Sequence, residues 1–210
     1  MDIFLVALLS YLSGSIPFAF MLTKTFSKID IRKIGSGNIG ATNVLRTGNK
    51  YLALTTLLLD ISKGYIPVFI TSQHYPELIQ LSCLLAFFGH LFPIWLKFKG
   101  GKGVATYLGI LFALSIQLSF LFIFTWLVVS LIFKYSSVSS MFSSLTVFVI
   151  HAAREIAGPI FIIISDQTTK TYEIVPSLSL LLFIFFILLV FTHRKNISNL
   201  KNKTEHKIKI

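Results

Sequence analysis

The amino-acid sequence predicts an all-α, polytopic membrane helical bundle, and three observations carry that expectation. Hydrophobic residues make up 54% of the 210, charged residues 13%, and the mean hydropathy is +0.79, a composition that a soluble domain could not carry without aggregating. The apolar residues run in blocks of membrane-span length with short polar connections between them. Two of those connections, GSGNIGATNVLR at 35–46 and KFKGGKGVAT at 97–106, are crowded with glycine and carry Arg46, Lys97, Lys99 and Lys102.

In chain order the predicted spans are 3–23, 51–71, 77–96, 104–115, 118–133, 138–165 and 174–192. The first reads as a span that stays, because only Asp2 precedes it, no Lys or Arg occurs before Lys24, and no small-residue cleavage site stands out. Spans four and five come from one apolar run that as a single helix would be ~45 Å long against a hydrocarbon core of ~30 Å. Charge decides between one tilted helix and two. With a break near Ser115 to Gln117, 16 of the 19 Lys and Arg residues fall on one face, leaving Lys63, Arg154 and Lys170 elsewhere. Without the break, Lys134 and the basic tail change sides. About seven transmembrane helices, with the N-terminus outside and the C-terminus cytoplasmic, is the consistent solution. Each half of the broken run is expected to be too short to cross unaided, which places the turn below the outer surface. Residues 1–210 read as one membrane-embedded domain with a flexible basic tail over about 201–210, suited to anionic lipid. The lone Cys83 has no partner for a disulfide in this chain and reads as a small buried hydrophobe.

This topology gathers 24–50, 97–103, 134–140 and the stretch from His193 at the cytoplasmic face. Topology asks for positive charge there, but not for glycine, serine and asparagine at tight spacing. Glycine lets successive N–H groups turn toward one point, and such concavities bind phosphate. The chain is therefore expected to handle phosphorylated molecules at one membrane surface. Two soluble motifs match by accident. Gly35, Gly37 and Gly40 satisfy GxGxxG, but no βαβ unit surrounds them, and Asp60, the acidic partner by spacing, lies inside a span. GGKG matches the end of a Walker A loop, yet Leu96 stands where its first glycine belongs and no Ser or Thr follows Lys102. Asp60 and Lys63, i and i+3 in span two, either support the first loop as a pair or touch substrate directly. Pro17, Pro67 and Pro93 are expected to kink or end helices.

Six blocks cover most of the chain: YLSGSIPFA at 11–19, DIRKIGSGNIGATNVLR at 30–46, the trio Asp60, Lys63 and Gly64, GHLFPIWLKFKGGKGVAT at 89–106, KYSSVSS at 134–140 and HRKNISNL at 193–200. In order and spacing they closely resemble the bacterial acyl-phosphate-dependent glycerol-3-phosphate acyltransferase family. The resemblance implies transfer of a fatty acyl group from acyl phosphate to the 1-hydroxyl of sn-glycerol 3-phosphate, giving lysophosphatidic acid and phosphate, the first acylation of phospholipid synthesis. It implies a multi-pass protein of the bacterial inner membrane with its active site toward the cytoplasm. The expected partners are the two phosphorylated substrates, membrane lipids and an enzyme that produces acyl phosphate. No nucleic acid, metal or organic cofactor is indicated.

The same resemblance nominates residues. Ser36, Asn38, Thr42 and Asn43, with the N–H groups of Gly37 and Gly40, are expected to line one phosphate site, and Arg46 to add bidentate, charge-assisted bonds. Lys102, between Gly101 and Gly103, is expected to contact the other phosphate and neutralise its charge as it leaves, with His90 just upstream as a further binding residue. Ser137 and Ser140 match the family's serine pair, and His193 and Asn196, three apart, share one face of a helical end. Ser36, Arg46, Lys102, Ser137, His193 and Asn196 form the expected catalytic set. No histidine begins the HxxxxD pattern of thioester-using acyltransferases. An acyl phosphate is already activated, so positioning and electrostatic stabilisation can suffice, with a substrate phosphate oxygen taking the hydroxyl proton. His193 as general base is the rival account.

Some residues depart from the family pattern. Lys203 stands where the family has a glycine ahead of a nearby glutamate, which puts the role of Glu205 in doubt. His151, Arg154 and Glu155 in span six match nothing in the family, and 141–175 carries the least resemblance. A transporter of a phosphorylated metabolite is the rival function, although no internal repeat is visible and the polar loops gather at one face instead of the midplane.

Overall fold

The structure, a computed structural model, describes residues 1–164 and 178–208. Among them there is no β-strand. The helices are α1 (Asp2–Ser15), α2 (Phe18–Phe26), α3 (Ala41–Leu45), α4 (Lys50–His74), α5 (Ile79–Leu91), α6 (Val104–Leu114), α7 (Ile116–Phe133), α8 (Ser136–Ile164), α9 (Leu178–Thr192) and α10 (Arg194–Lys201). Short 3-10 turns stand at Ile31–Lys33, Pro76–Leu78 and Ile94–Leu96. The chain forms two compact units, Met1–Ser119 and Phe120–Ile210.

Five described segments are long and apolar enough to cross a bilayer, six if the bent pair of α9 and α10 counts as one span, while α6 has 11 residues. The apolar run from Val104 does break, and Ser115 makes the break. Its extended backbone (φ −163, ψ 119) ends α6, and its Oγ accepts the N–H of Leu118 at 3.4 Å at the start of α7. The expectation that both halves are too short holds for α6 alone, because α7 starts at Ile116 and reaches 18 residues. The first predicted span is interrupted: Pro17 pushes Ile16 out of helical conformation (ψ 118), so a two-residue break, here the elbow, separates α1 from α2 within one candidate span. Pro93 opens the 3-10 turn after α5, whereas Pro67 sits inside an uninterrupted α4. The last predicted span begins in residues outside those described; its visible part is α9.

In the first unit, helices approach where side chains vanish. A Cβ on Gly14 would strike the Ala86 carbonyl of α5, and one on Gly89 the Tyr11 carbonyl of α1. Ser10 and Ser82 share a 2.8 Å hydrogen bond across the same seam. The α4–α6 seam repeats the pattern, with Gly64 against Thr106 and Gly109 against Ile61. Small residues and interhelical hydroxyls are what hold helices together when lipid removes the hydrophobic difference. Cys83 lies fully buried, as expected of a small apolar residue.

Candidate active site

The first glycine loop is organised by one buried amide. Asn43, 2% exposed, donates its Nδ2 to the carbonyls of Ile31 (3.0 Å), Ile34 (3.0 Å) and Asn38 (2.9 Å), and its Oδ1 accepts the Ser36 N–H at 3.1 Å. Carbonyls on one side and an N–H on the other fix the orientation of the amide. Gly35 (φ 55) leaves room for it: a Cβ there would stand 2.5 Å from Asn43 Oδ1 and 2.9 Å from Arg46 Cδ. Ile31, Ile39 and Val44 pin the loop from below, buried with Ala19, Leu52, Ala53 and Leu96. Ahead of the loop, Asp30 caps the 3-10 turn through the Arg32 N–H and pairs with the Arg32 guanidinium at 2.7 Å. The guanidinium holds the Asp30 carboxyl down at about 2.

The Gly37 N–H is spent on Ile34 O at 2.9 Å. The N–H groups of Asn38, Ile39, Gly40, Ala41 and Thr42 donate to no acceptor among the described residues. Arg46 is exposed beside Gly35, Thr42 is exposed, and Ser36 and Asn38 are half-buried. The structure thus leaves Ser36, Asn38, Gly40, Thr42 and Arg46 at least partly exposed on one loop and turns Asn43 inward to hold it.

The second loop doubles back over the end of α5. Lys97 (φ 53) and Phe98 (φ 59) both take the left-handed conformation, after which the N–H groups of Gly100 and Gly101 donate to the carbonyls of Leu91 and His90 at 3.1 Å each. These are terminal helix carbonyls that α5 leaves without partners. His90 is 4% exposed, and its Nδ1 lies 3.0 Å from Thr106 Oγ1 at the start of α6. A Cβ on Gly101 would collide with the imidazole Nε2. His90 therefore clamps the loop from inside, and Lys102, partly exposed between Gly101 and Gly103, is what the clamp presents. Leu96 of this segment lies in the same apolar cluster as Ile31, Ile39 and Val44, so the two loops share an anchor.

The second unit holds a polar cluster around Glu205. Its Oε1 accepts from Asn196 Nδ2 at 2.6 Å and Ser137 Oγ at 3.1 Å, and its Oε2 from Asn199 Nδ2 at 3.3 Å. His193, 2% exposed, has Nδ1 at 2.8 Å from Leu189 O. A carbonyl can only accept, so Nδ1 carries a proton. Ser140 is buried, donating to Ser136 O at 2.8 Å and accepting from Trp126 Nε1 at 3.2 Å.

The comparisons with known proteins meet this geometry. The glycerol-3-phosphate acyltransferase family profile matches residues 4–203. The chain belongs to that family. A glycerol-3-phosphate acyltransferase of Pelagibacter ubique is 52% identical over 210 residues, covering 100% of both chains, and one of Mesorhizobium japonicum is 45% identical, covering 97% of this chain and 95% of the other. Two crystal structures of PlsY, an integral membrane glycerol 3-phosphate acyltransferase, superpose on it. The glycerol 3-phosphate form does so with TM-score 0.83 and 29% identity over 100% of this chain and 96% of that one, and the lysophosphatidic acid form with TM-score 0.80 and 28% identity over 99% and 95%. The protein is a multi-pass membrane acyltransferase.

In this acyltransferase two residues escape a reading of the sequence. Lys203 puts Glu205 in doubt on sequence, yet Lys203 adopts a left-handed φ of 58, a conformation that favours glycine. The chain then turns back, with Thr204 N–H on Asn199 O at 2.8 Å, and delivers Glu205 to its three partners. Ser179 carried no signal at all; it sits 3.0 Å from His151 Nδ1 and donates to Glu155, so the unexplained polar residues of α8 form a clip to α9.

Proposed function

We propose that the acyltransferase moves a fatty acyl group from acyl phosphate to the 1-hydroxyl of sn-glycerol 3-phosphate. The hydroxyl oxygen attacks the acyl carbonyl carbon, the bond from that carbon to the phosphate oxygen breaks, and the hydroxyl proton ends on the departing phosphate. Lysophosphatidic acid and inorganic phosphate leave. The observation of this chain that carries the reading is the first loop: five successive undonated N–H groups beside an exposed arginine, held open by Asn43. Such a nest suits a phosphate oxygen, and the PlsY structure it resembles is a glycerol 3-phosphate form.

In this reading Ser36, Arg46 and the 38–42 amides bind one phosphate. Lys102 neutralises the other as it leaves. Ser137, His193 and Asn196 are assigned to the same reaction. Asn43, His90, Gly101 and Gly103 support these groups by shaping the loops. A histidine base is unnecessary because the donor is activated, and His193, with Nδ1 bonded to a backbone carbonyl, serves as a fixed hydrogen-bonding group. The clustering of basic residues supports placement in the inner membrane with the loops toward the cytoplasm and about seven spans.

Purified protein in nanodiscs, given acyl phosphate and glycerol 3-phosphate, should release phosphate and form lysophosphatidic acid in equal amounts. Accumulation of glycerol 3-phosphate inside vesicles without acylation would replace this reading with transport. Loss of turnover in His193→Ala that external imidazole restores would reinstate the histidine as base.

A further inference from the structure

Pro17, between α1 and α2, and Pro67, inside α4, each leave a nearby carbonyl outside the regular helix ladder, and each of these carbonyls takes a side-chain hydrogen bond from across the α1–α4 contact. At the elbow, Ile16 is extended (ψ 118), and within the backbone its oxygen receives only the Phe18 N–H at 3.1 Å. Lys63 Nζ of α4 donates to that oxygen at 2.7 Å. Inside α4, Pro67 has no N–H to give to the carbonyl four residues back, which is that of Lys63. Ser13 Oγ of α1 donates to it at 3.0 Å. Lys63 thus takes part in both bonds, with its side chain holding the elbow and its carbonyl held by α1.

Its charge is met by Asp60 at 2.7 Å, with side chains only 3% and 2% exposed, and by the Phe18 ring at 5.7 Å. The ammonium thus meets the Asp60 carboxylate and the Ile16 carbonyl at once, each at 2.7 Å. A buried pair of this kind adds little net stability over a well-packed apolar one. The bond to Ile16 is what an apolar pair could not reproduce.

The same turn of α4 reaches both glycine loops. On one side the elbow starts α2, whose Ala19 is buried against Ile31, Ile39 and Val44 of the first loop. On the other, Gly64 lies flush against the Thr106 carbonyl, Thr106 bonds His90, and the His90 carbonyl holds the Gly101 N–H. We propose that Lys63 is a positioning residue for acyl transfer, keeping the first glycine loop in register with the second through its bond to the Ile16 carbonyl. This rests on the reading that the first loop binds a substrate phosphate.

The test uses the Asp60→Leu/Lys63→Met double variant, which leaves no unpaired buried charge, in the same nanodiscs as the unaltered enzyme. Acylation is followed while each phosphate substrate is varied in turn. The expected result is a rise of about tenfold in KM for the substrate held by the first loop, with the other KM moving less than twofold. Both KM values unchanged, with any fall confined to kcat, would make the pair merely structural and overturn the proposal. Should the double variant not fold, the milder Asp60→Asn/Lys63→Gln variant, whose amide nitrogen ends one atom short of the lysine ammonium that bonds Ile16 O, should raise the same KM two- to fivefold; no change there refutes the idea equally. An unaltered enzyme that acylates nothing would sink the proposed function and this inference with it, whereas an active one with unmoved KM values sinks the inference alone.

Discussion

Replacing Asn43 with alanine should open the first loop without touching a substrate contact. The side chain supplies two N–H donors shared among three carbonyls, at 3.0, 3.0 and 2.9 Å, and one acceptor for the Ser36 N–H at 3.1 Å. The bond to Ile31 O is fully buried, so its loss strands a carbonyl at a cost of about 1–3 kcal/mol. The others lie nearer solvent, where water replaces them and each loses roughly 0.5–1 kcal/mol. The sum is about 3 kcal/mol, enough to shift the ordered loop from dominant to roughly one part in a hundred of its former weight. Helices packed through the α1–α5 and α4–α6 seams do not depend on this amide, so the loss is local. The assay pairs hydrogen exchange of residues 31–46 with acylation kinetics. Asn43→Ala should lose protection there and lose most of kcat/KM, while the thermal midpoint in detergent moves little. Asn43→Asp should be worse, because it turns a carboxylate toward three carbonyls. Protection unchanged in Asn43→Ala would show that the amide does not hold the loop.

Three further outcomes follow from the same geometry. Gly101→Ala puts a methyl into the imidazole of His90 and should cost activity through about 1–3 kcal/mol of overpacking; adding His90→Ala should restore part of it, and a failure of that rescue would return Gly101 to direct phosphate contact. Lys203→Gly removes a left-handed lysine at φ 58 and should stabilise the second unit by about 1 kcal/mol in a thermal-shift series, with no gain counting against the strained turn. In an NMR titration the Asp30 carboxyl should titrate at about 2 and return toward 3.8 in Arg32→Gln. The pair's contribution is present above the unfolded value and vanishes as pH falls through about 2, so it should leave no inflection in activity between pH 5 and 8.

What was legible in the sequence is what depends on composition and local backbone chemistry. The hydrophobic blocks follow from composition, the elbow at Pro17 and the turn after Pro93 from proline, and the break at Ser115 from the distribution of charge along the chain. Which side chains the loops would consume internally was not legible. Asn43 and Asn38 look alike in GSGNIGATN, and only the fold shows one amide turned inward under three carbonyls while the other faces out. That Pro67 would not end its helix was not legible for a related reason. Its stranded carbonyl is rescued by Ser13, some fifty residues upstream, so α4 runs on. Long-range rescue of this kind has no local signature. Glu205 was obscured by Lys203, because the sequence shows a missing glycine and not that a lysine tolerates the same φ.

The glycines of the two loops do different physical work, and this bears on where the anion-binding capacity resides. In the second loop, Gly100 and Gly101 spend their N–H groups on the carbonyls at the end of α5, so those amides are unavailable to a phosphate. Their missing side chains let the loop lie against His90, and the charge it offers is that of Lys102. In the first loop the reverse holds: Gly35 makes room for Asn43, Asn43 absorbs the carbonyls, and the amides of 38–42 are left without acceptors. A lysine is a mobile point charge, suited to a phosphate whose charge grows as it departs. A ring of fixed amides beside an arginine suits a phosphate that must stay put while its neighbouring hydroxyl reacts. On that ground the proposed function assigns the glycerol 3-phosphate headgroup to the first loop and the leaving phosphate to Lys102, and Arg46→Ala should raise the KM for glycerol 3-phosphate while Lys102→Ala should chiefly lower kcat. The opposite pattern would exchange the two assignments.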